Sequence, residues 1–240
     1  MLSELIMSAP GLSGAFETGF LLAPAPSKFV NVQPFFSWLN SSQETNFLDL
    51  DGPQVTELLA SPTHAAMYEF LLRASPLMRG SNRYVDKTPR YYTQLSEVMK
   101  RAPGVPVVIS HKSWAHVLDS YMSRRYTEGW TEGGVRALWC HFVAQVRQAQ
   151  REHPGRVHLV SYERLFLERD EKEAARLFDF LGLKWNPSWL SGKDVPRKHC
   201  QLCAQKTGLA AETTARAKAE EARRQRRSGL RKSGSPLPDP

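Results

Sequence analysis

The sequence predicts an α/β fold of three layers, with helices on both faces of a central parallel sheet. Residues 105–109 and 156–161 are short apolar runs with β-branched side chains, which are typical of buried strands. Between residues 82 and 121 the pattern is strand, polar turn, helix, strand, polar turn, helix. Because strands and helices alternate, we expect parallel strands joined by right-handed crossovers.

The first half of the chain predicts two helices and a long ordered loop. Residues 1–8 have helical character, which stops near Pro10. Residues 11–50 are rich in Gly, Pro, Ser and Asn but also contain seven large aromatic residues. Aromatic side chains at this density usually pack together, so we expect an ordered segment. A second helix is predicted from Ser61, with Pro62 at its first position.

The second half carries clearer helix signals. Ser113 is placed to cap the helix that follows the strand at 105–109. Apolar side chains then recur at helical spacing over 135–146, and His153-Pro154-Gly155 marks the end of that helix. A last helix is expected to begin at Asp170, in a sequence similar to a capping box, and to close at Gly182.

Charge divides the chain into two parts. The formal net charge is +8, and residues 211–240 carry eight basic and four acidic side chains, so half of the excess (8 − 4 = +4) lies in this segment. We therefore expect an α/β domain over 1–205 and a basic tail over 206–240 that is disordered or a solvated helix. The mildly basic body argues against a nucleic-acid-binding fold, which leaves the tail as the alternative route to RNA.

The three cysteines predict neither disulfides nor a metal site. Cys140 lies in a helical pattern and is expected to be buried. Cys200 and Cys203 form a Cys-x-x-Cys without the second ligand pair that zinc needs. An odd cysteine count, no apolar run of about 20 residues and a poor secretory signal favour a cytoplasmic location. No oligomeric state is predicted.

Two lysines follow two of the predicted strands. Lys87 lies in Asp86-Lys87-Thr88-Pro89, and Lys112 lies in His111-Lys112-Ser113. In an open α/β sheet, ligands bind beyond the carboxyl ends of the strands, where helix N-termini also point. The two lysines therefore predict an anionic ligand, for which phosphate is the common case.

Three segments, in this order, resemble the sulfotransferase superfamily, in its carbohydrate-type or bacterial-type branch. They are Asp-Lys-Thr-Pro at 86–89, the strand and turn at 107–114 leading to Ser120, and Val157–Leu165 followed by Phe-Leu-Gly-Leu at 180–183. Members transfer a sulfuryl group from 3′-phosphoadenosine 5′-phosphosulfate (PAPS) to an acceptor. The resemblance implies a fold like that of P-loop kinases, a hydroxyl or amine acceptor, which Asp-Lys-Thr-Pro favours as carbohydrate, and no metal.

The resemblance also implies roles for individual residues. Lys112 and Ser120 take the places of the Arg and Ser that bind the 3′-phosphate of the nucleotide, and Tyr162 matches the tyrosine that contacts the adenine. Lys for Arg keeps the charge but loses the bidentate fork. Lys87 matches a lysine near the transferred sulfonate, where it would stabilise developing charge. Asp86 and Glu17 are both candidates for the base that activates the acceptor.

One part of the family pattern has no counterpart. The family binds the 5′-phosphosulfate with a Gly- and Ser/Thr-rich turn between its first strand and first helix, whereas Gly11–Gly14 follows no buried strand. Residues 1–6 resemble the end of that first helix, so we expect an N-terminally incomplete fold. Two alternatives to an active sulfotransferase stay open: a truncated or catalytically inactive binding module, and a nucleic-acid binder that uses the basic tail.

Overall fold

The computed structural model describes residues 2–15, 17–40, 48–123 and 129–190. The predicted tail and Cys-x-x-Cys lie outside these ranges. Within them the helices are α1 Leu2–Met7, α2 Phe35–Leu39, α3 Gly52–Leu59, α4 His64–Ala74, α5 Leu95–Arg101, α6 Trp114–Met122, α7 Glu132–Glu152 and α8 Glu171–Phe180. The strands are β1 Leu12–Ser13, β2 Arg83–Tyr84, β3 Val107–His111 and β4 Val157–Ser161.

Both strand pairs are parallel, as the alternating pattern predicts. β1 pairs with β2 through Leu12 and Arg83, and β3 pairs with β4 from Val107 opposite Val157 to His111 opposite Ser161. Among the described residues these are two separate two-stranded sheets instead of one central sheet. β3 starts two residues later than predicted, and the preceding Pro106 has no N–H to donate to a strand ladder.

Helices cover both faces of the β3–β4 sheet. On one face, Val108 and Val160 pack with Leu5 of α1 and with Leu177 and Phe178 of α8. On the other face, Val107, Ile109 and Val157 pack against helices α5 and α7. The residues of these helices in the cluster are Leu95, Met99, Val146 and Ala149. Because successive strand residues point to opposite faces, this arrangement places a sheet between two helical layers. The predicted α/β class is confirmed.

Several helix boundaries differ from the sequence predictions. α4 begins at His64 instead of near Ser61, because Thr63 Oγ1 accepts a hydrogen bond of 3.1 Å from the Ala66 N–H. Asp170 caps α8 as predicted, with its carboxylate accepting from the N–H groups of the next turn. No helix in the described part of the chain is long and apolar enough to cross a membrane.

The prediction that Cys140 is buried is wrong. Cys140 lies on α7 and is exposed. The core side of this helix is defined by the buried residues Val135, Val146 and Ala149. Cys140 comes five residues after Val135, so a rotation of about 100° per residue carries it to the opposite side of the helix. Its small apolar side chain therefore does not contribute to the core.

Candidate functional site

Asp86, two residues after the end of β2, is the centre of a hydrogen-bond cluster. Its Oδ2 accepts from the hydroxyls of Thr18 (2.9 Å), Tyr91 (2.5 Å) and Tyr68. Its Oδ1 accepts from Thr88 Oγ1 at 3.0 Å. Three donors therefore meet at Oδ2 and one at Oδ1, so both oxygens of the carboxylate are engaged. The cluster joins the loop after β1, helix α4 and the segment that follows β2.

Burial sets the protonation of this Asp86 cluster. Burial raises the pKa of Asp86, while the four hydrogen bonds that it accepts oppose this rise. Burial, together with the nearby charge of Asp86, also raises the pKa of Tyr68 and Tyr91 well above the usual tyrosine value. Both tyrosine hydroxyls therefore remain hydrogen-bond donors at neutral pH. Asp86 acts as an acceptor that fixes three segments of the chain.

The loop between β1 and the 3₁₀ turn Phe20–Leu22 lies tightly against the end of β2. The Gly19 N–H donates to Thr88 Oγ1 at 3.0 Å. Gly19 has φ of 70°, and a Cβ at this position would lie 2.5 Å from the Phe35 ring. A Cβ at Gly14 would clash with the Val85 carbonyl oxygen. Gly14 therefore lets the loop lie close to the residue that follows β2, and Gly19 lets it pass close to Phe35. Glu17 lies between these two glycines.

Glu17 and Lys87 form an ion pair beside the Asp86 cluster. Lys87 Nζ lies 3.0 Å from Glu17 Oε1, and the side chains are 44% and 24% exposed. Both groups therefore reach solvent, unlike the hydrogen-bonded carboxylate of Asp86. The pair offers a cation and a carboxylate at the carboxyl end of β2. We call it the β2-end pair.

Lys112 and Tyr162 come together at the ends of β3 and β4. They follow His111 and Ser161, the last paired residues of the two strands. Lys112 Nζ lies 4.2 Å from the centroid of the Tyr162 ring, the geometry of a cation–π contact. Two of the residues that the sequence analysis predicted to bind the nucleotide are therefore in contact in the structure.

Glu163 occupies the N-terminal end of α6. Its Oε1 accepts from the Ser113 N–H at 2.9 Å and lies 2.6 Å from His116 Nδ1. Desolvation raises the pKa of Glu163, but the hydrogen bonds from His116 and the Ser113 N–H together outweigh this effect. The net result is a pKa lowered to about 2. Ser113 is the N-cap residue of α6, as predicted, but its side chain makes no cap hydrogen bond. The carboxylate of Glu163 supplies the negative charge that favours a helix N-terminus.

Ser120 lies on the same face of α6 as His116. It comes four residues after His116 and seven after Ser113, spacings that place all three on one side of a helix. It stands about 9 Å along the axis from the first helical residue. We call this group the β3–β4 rim; its members are Lys112, His116, Ser120, Tyr162 and Glu163.

Sequence reasoning missed the partnership of His116 with Glu163. The two residues are 47 positions apart, and no local motif links them. The available signal was topological, because each follows a strand predicted to be parallel to the other. In the described ranges, no cluster of three or more His, Cys, Asp or Glu side chains could hold a metal ion.

The chain belongs to the sulfotransferase family, because a sequence model of that family matches residues 1–187. This match confirms the resemblance inferred from the three segments. The comparison with curated proteins found no match.

Two solved sulfotransferase domains have a similar structure. One comes from the curacin biosynthetic pathway, with 14% identity, a TM-score of 0.58 and coverage of 82% of this chain and 72% of that chain. The other comes from the Synechococcus PCC 7002 olefin synthase, with 15% identity, a TM-score of 0.54 and coverage of 78% and 70%. At such identities the likeness establishes the fold, which agrees with the parallel strands and helical layers seen here.

Proposed function

We propose that this protein transfers a sulfuryl group from PAPS to a hydroxyl or amine acceptor, with carbohydrate as the favoured acceptor class. The observation that carries this proposal is the position of Lys112 over the Tyr162 ring where β3 and β4 end. The strand ends offer a cation and an aromatic face, and Ser120 adds a hydroxyl on α6. Such a set suits a phosphorylated nucleoside.

In this proposal the β3–β4 rim binds the nucleotide. Lys112 and Ser120 donate hydrogen bonds to the 3′-phosphate, and the ring of Tyr162 lies against the adenine. The negative charge of Glu163 would repel a phosphate if it were uncompensated. Hydrogen bonds from His116 and from the Ser113 N–H already engage the Glu163 carboxylate, which leaves Lys112 as the cation for the ligand.

The β2-end pair supplies the catalytic groups. Lys87 stabilises the negative charge that grows on the oxygens around sulfur during transfer. Glu17 accepts the proton of the acceptor hydroxyl as that oxygen attacks sulfur and the bond between sulfur and the phosphate oxygen breaks. Glu17 is favoured over Asp86 as the base because four donors already engage the Asp86 carboxylate.

Nucleotide binding tests the donor assignment. We expect adenosine 3′,5′-bisphosphate to raise the melting temperature more than adenosine 5′-monophosphate, because only the former carries the 3′-phosphate. Lys112→Ala should weaken bisphosphate binding about 10- to 100-fold, the effect of losing a hydrogen bond to a charged group. Lys100→Ala is the matched control, because Lys100 is an exposed lysine paired with Glu97 on α5. Equal shifts with both nucleotides would contradict the assignment.

The second candidate is a catalytically inactive binding module, which the pairing of Lys87 with Glu17 favours, because this ion pair engages the cation that transfer would use. Both candidates bind the nucleotide, so a transfer assay separates them. With a mixture of sugars and amines as acceptors, an active enzyme converts PAPS to adenosine 3′,5′-bisphosphate in an acceptor-dependent reaction. Bisphosphate binding without acceptor-dependent turnover would favour the inactive module.

A further inference from the structure

A polar cavity of about 560 Å³ lies between the loop before α2 and the segment that leads into α5. Its size falls within the range of roughly 300–1,000 Å³ that is usual for small-molecule sites. Five of its lining residues carry polar side chains: Asn31, Gln33, Arg90, Thr93 and Gln94. Among the described residues that line it none is acidic, and the one formal charge that they carry is the positive charge of Arg90.

The cavity keeps donors available for a ligand. Arg90 Nη1 donates to the Gln33 carbonyl at 2.8 Å, and Gln94 Nε2 donates to the Leu22 carbonyl at 3.2 Å. These bonds fix the two side chains in place. Among the described residues, the remaining guanidinium N–H groups of Arg90, the Asn31 amide and the Gln33 amide nitrogen have no partner. The lining thus combines a fixed cation with neutral amides.

The cavity is connected to the β2-end pair by short stretches of chain. Arg90 comes three residues after Lys87, and a chain spans at most about 3.6 Å per residue, so their Cα atoms lie within roughly 11 Å. On the other wall, Leu22 comes three residues after Gly19, whose N–H is bonded to Thr88 Oγ1. The same contact between the loop and β2 therefore positions both walls of the cavity and the pair.

We propose that this cavity binds the acceptor and selects a hydroxyl-rich, sugar-type molecule that carries a carboxylate. Amide side chains suit sugar hydroxyls, because each amide both donates and accepts hydrogen bonds. The Arg90 guanidinium suits a carboxylate, which it can bind through two parallel hydrogen bonds. This inference rests on the proposed transfer function, because it names the substrate class of that reaction.

Direct binding without donor tests the inference. The probes are a hyaluronan tetrasaccharide, which contains glucuronate, and the neutral cellotetraose, each titrated by calorimetry or by NMR. We expect the acidic sugar to bind about tenfold more tightly or better. Arg90→Gln should remove most of this preference, while Arg90→Lys should retain part of it, because lysine keeps the charge without the fork. Arg73→Gln, at a separate cavity of about 260 Å³ that also contains Glu57, is the matched control and should change nothing.

The outcomes separate this inference from the proposed function. If both sugars bind equally, if neither binds at about millimolar concentration, or if Arg73→Gln has the same effect as Arg90→Gln, the acceptor assignment is overturned. Bisphosphate binding is measured on the same samples and should be the same in the wild type and in Arg90→Gln. If the wild type does not bind adenosine 3′,5′-bisphosphate, the proposed function is overturned instead.

Discussion

Replacement of Asp86 tests whether this carboxylate is structural or catalytic. Asp86→Ala removes the acceptor of four hydroxyl donors. At about 1 kcal/mol for each hydrogen bond, the sum is about 4 kcal/mol, and rotation of the two threonine hydroxyls reduces it to about 3 kcal/mol. For a chain of this size each kcal/mol corresponds to about 2–4 °C, so the melting temperature should fall by roughly 6–12 °C.

Asp86→Asn gives the sharper comparison. The amide keeps one carbonyl oxygen for the donors that now reach Oδ2 and removes the cost of burying a charge, so we expect a loss of only about 1 kcal/mol. Transfer activity, measured below the melting temperature of the variant, should stay within about tenfold of the wild type, because a general base contributes 10²- to 10⁴-fold. Asp86→Asn with normal stability and activity reduced by more than about 100-fold would refute the structural role and make Asp86 the base.

Three further perturbations have defined outcomes. Glu17→Gln should leave the melting temperature within about 3 °C and lower the transfer rate by about 100-fold or more, because it removes the proposed base from a partly exposed pair. Glu163→Gln should remove the stabilisation that ionised Glu163 gives to the folded state. Because the pKa of Glu163 is about 2 in the folded protein, this stabilisation is complete above pH 4.5 and is lost as the pH falls towards 2. It amounts to about 1–2 kcal/mol after solvent screening. Denaturant unfolding at pH 7 and at pH 3 compares the wild type with the variant, and the same difference in the free energy of unfolding at both pH values would contradict this expectation. Gly19→Ala should cost about 3 kcal/mol in urea unfolding, because it combines a left-handed φ with a clash against Phe35, and a loss below about 1 kcal/mol would show that the loop can shift.

Local patterns predicted the parts of the fold that local forces determine. Periodicity and end signals such as Asp170 predicted β3, β4, α7 and α8. Each helix of this set buries one continuous apolar face, and each strand is a short, mainly apolar run. β2 was predicted as the strand before Lys87, whereas β1 was missed, because its two residues are too few for any periodicity to mark them. Competing caps could not be ranked either: Thr63 begins α4 in place of Ser61, and Glu163 supplies the anion at α6 in place of the Ser113 side chain.

The candidate site was predicted residue by residue but not as a network. Lys87, Lys112 and Tyr162 were placed at strand ends by the order of the motifs, and the structure places them there. The partners of these residues come from distant positions: the contact of Asp86 with Thr18 spans 68 residues. Such pairs depend on how the loop after β1 packs against β2, which no local pattern encodes. The structure therefore adds the distinction between the engaged Asp86 and the accessible Glu17.

A double-mutant cycle on nucleotide affinity is the most direct test of the donor site. Calorimetry with adenosine 3′,5′-bisphosphate would compare the wild type, Lys112→Ala, Ser120→Ala and the double variant. If both side chains contact one phosphate, their effects are not additive, and we expect a coupling energy of at least about 0.5 kcal/mol. Additive losses, or a Ser120→Ala variant that binds like the wild type, would contradict a shared phosphate site at the β3–β4 rim.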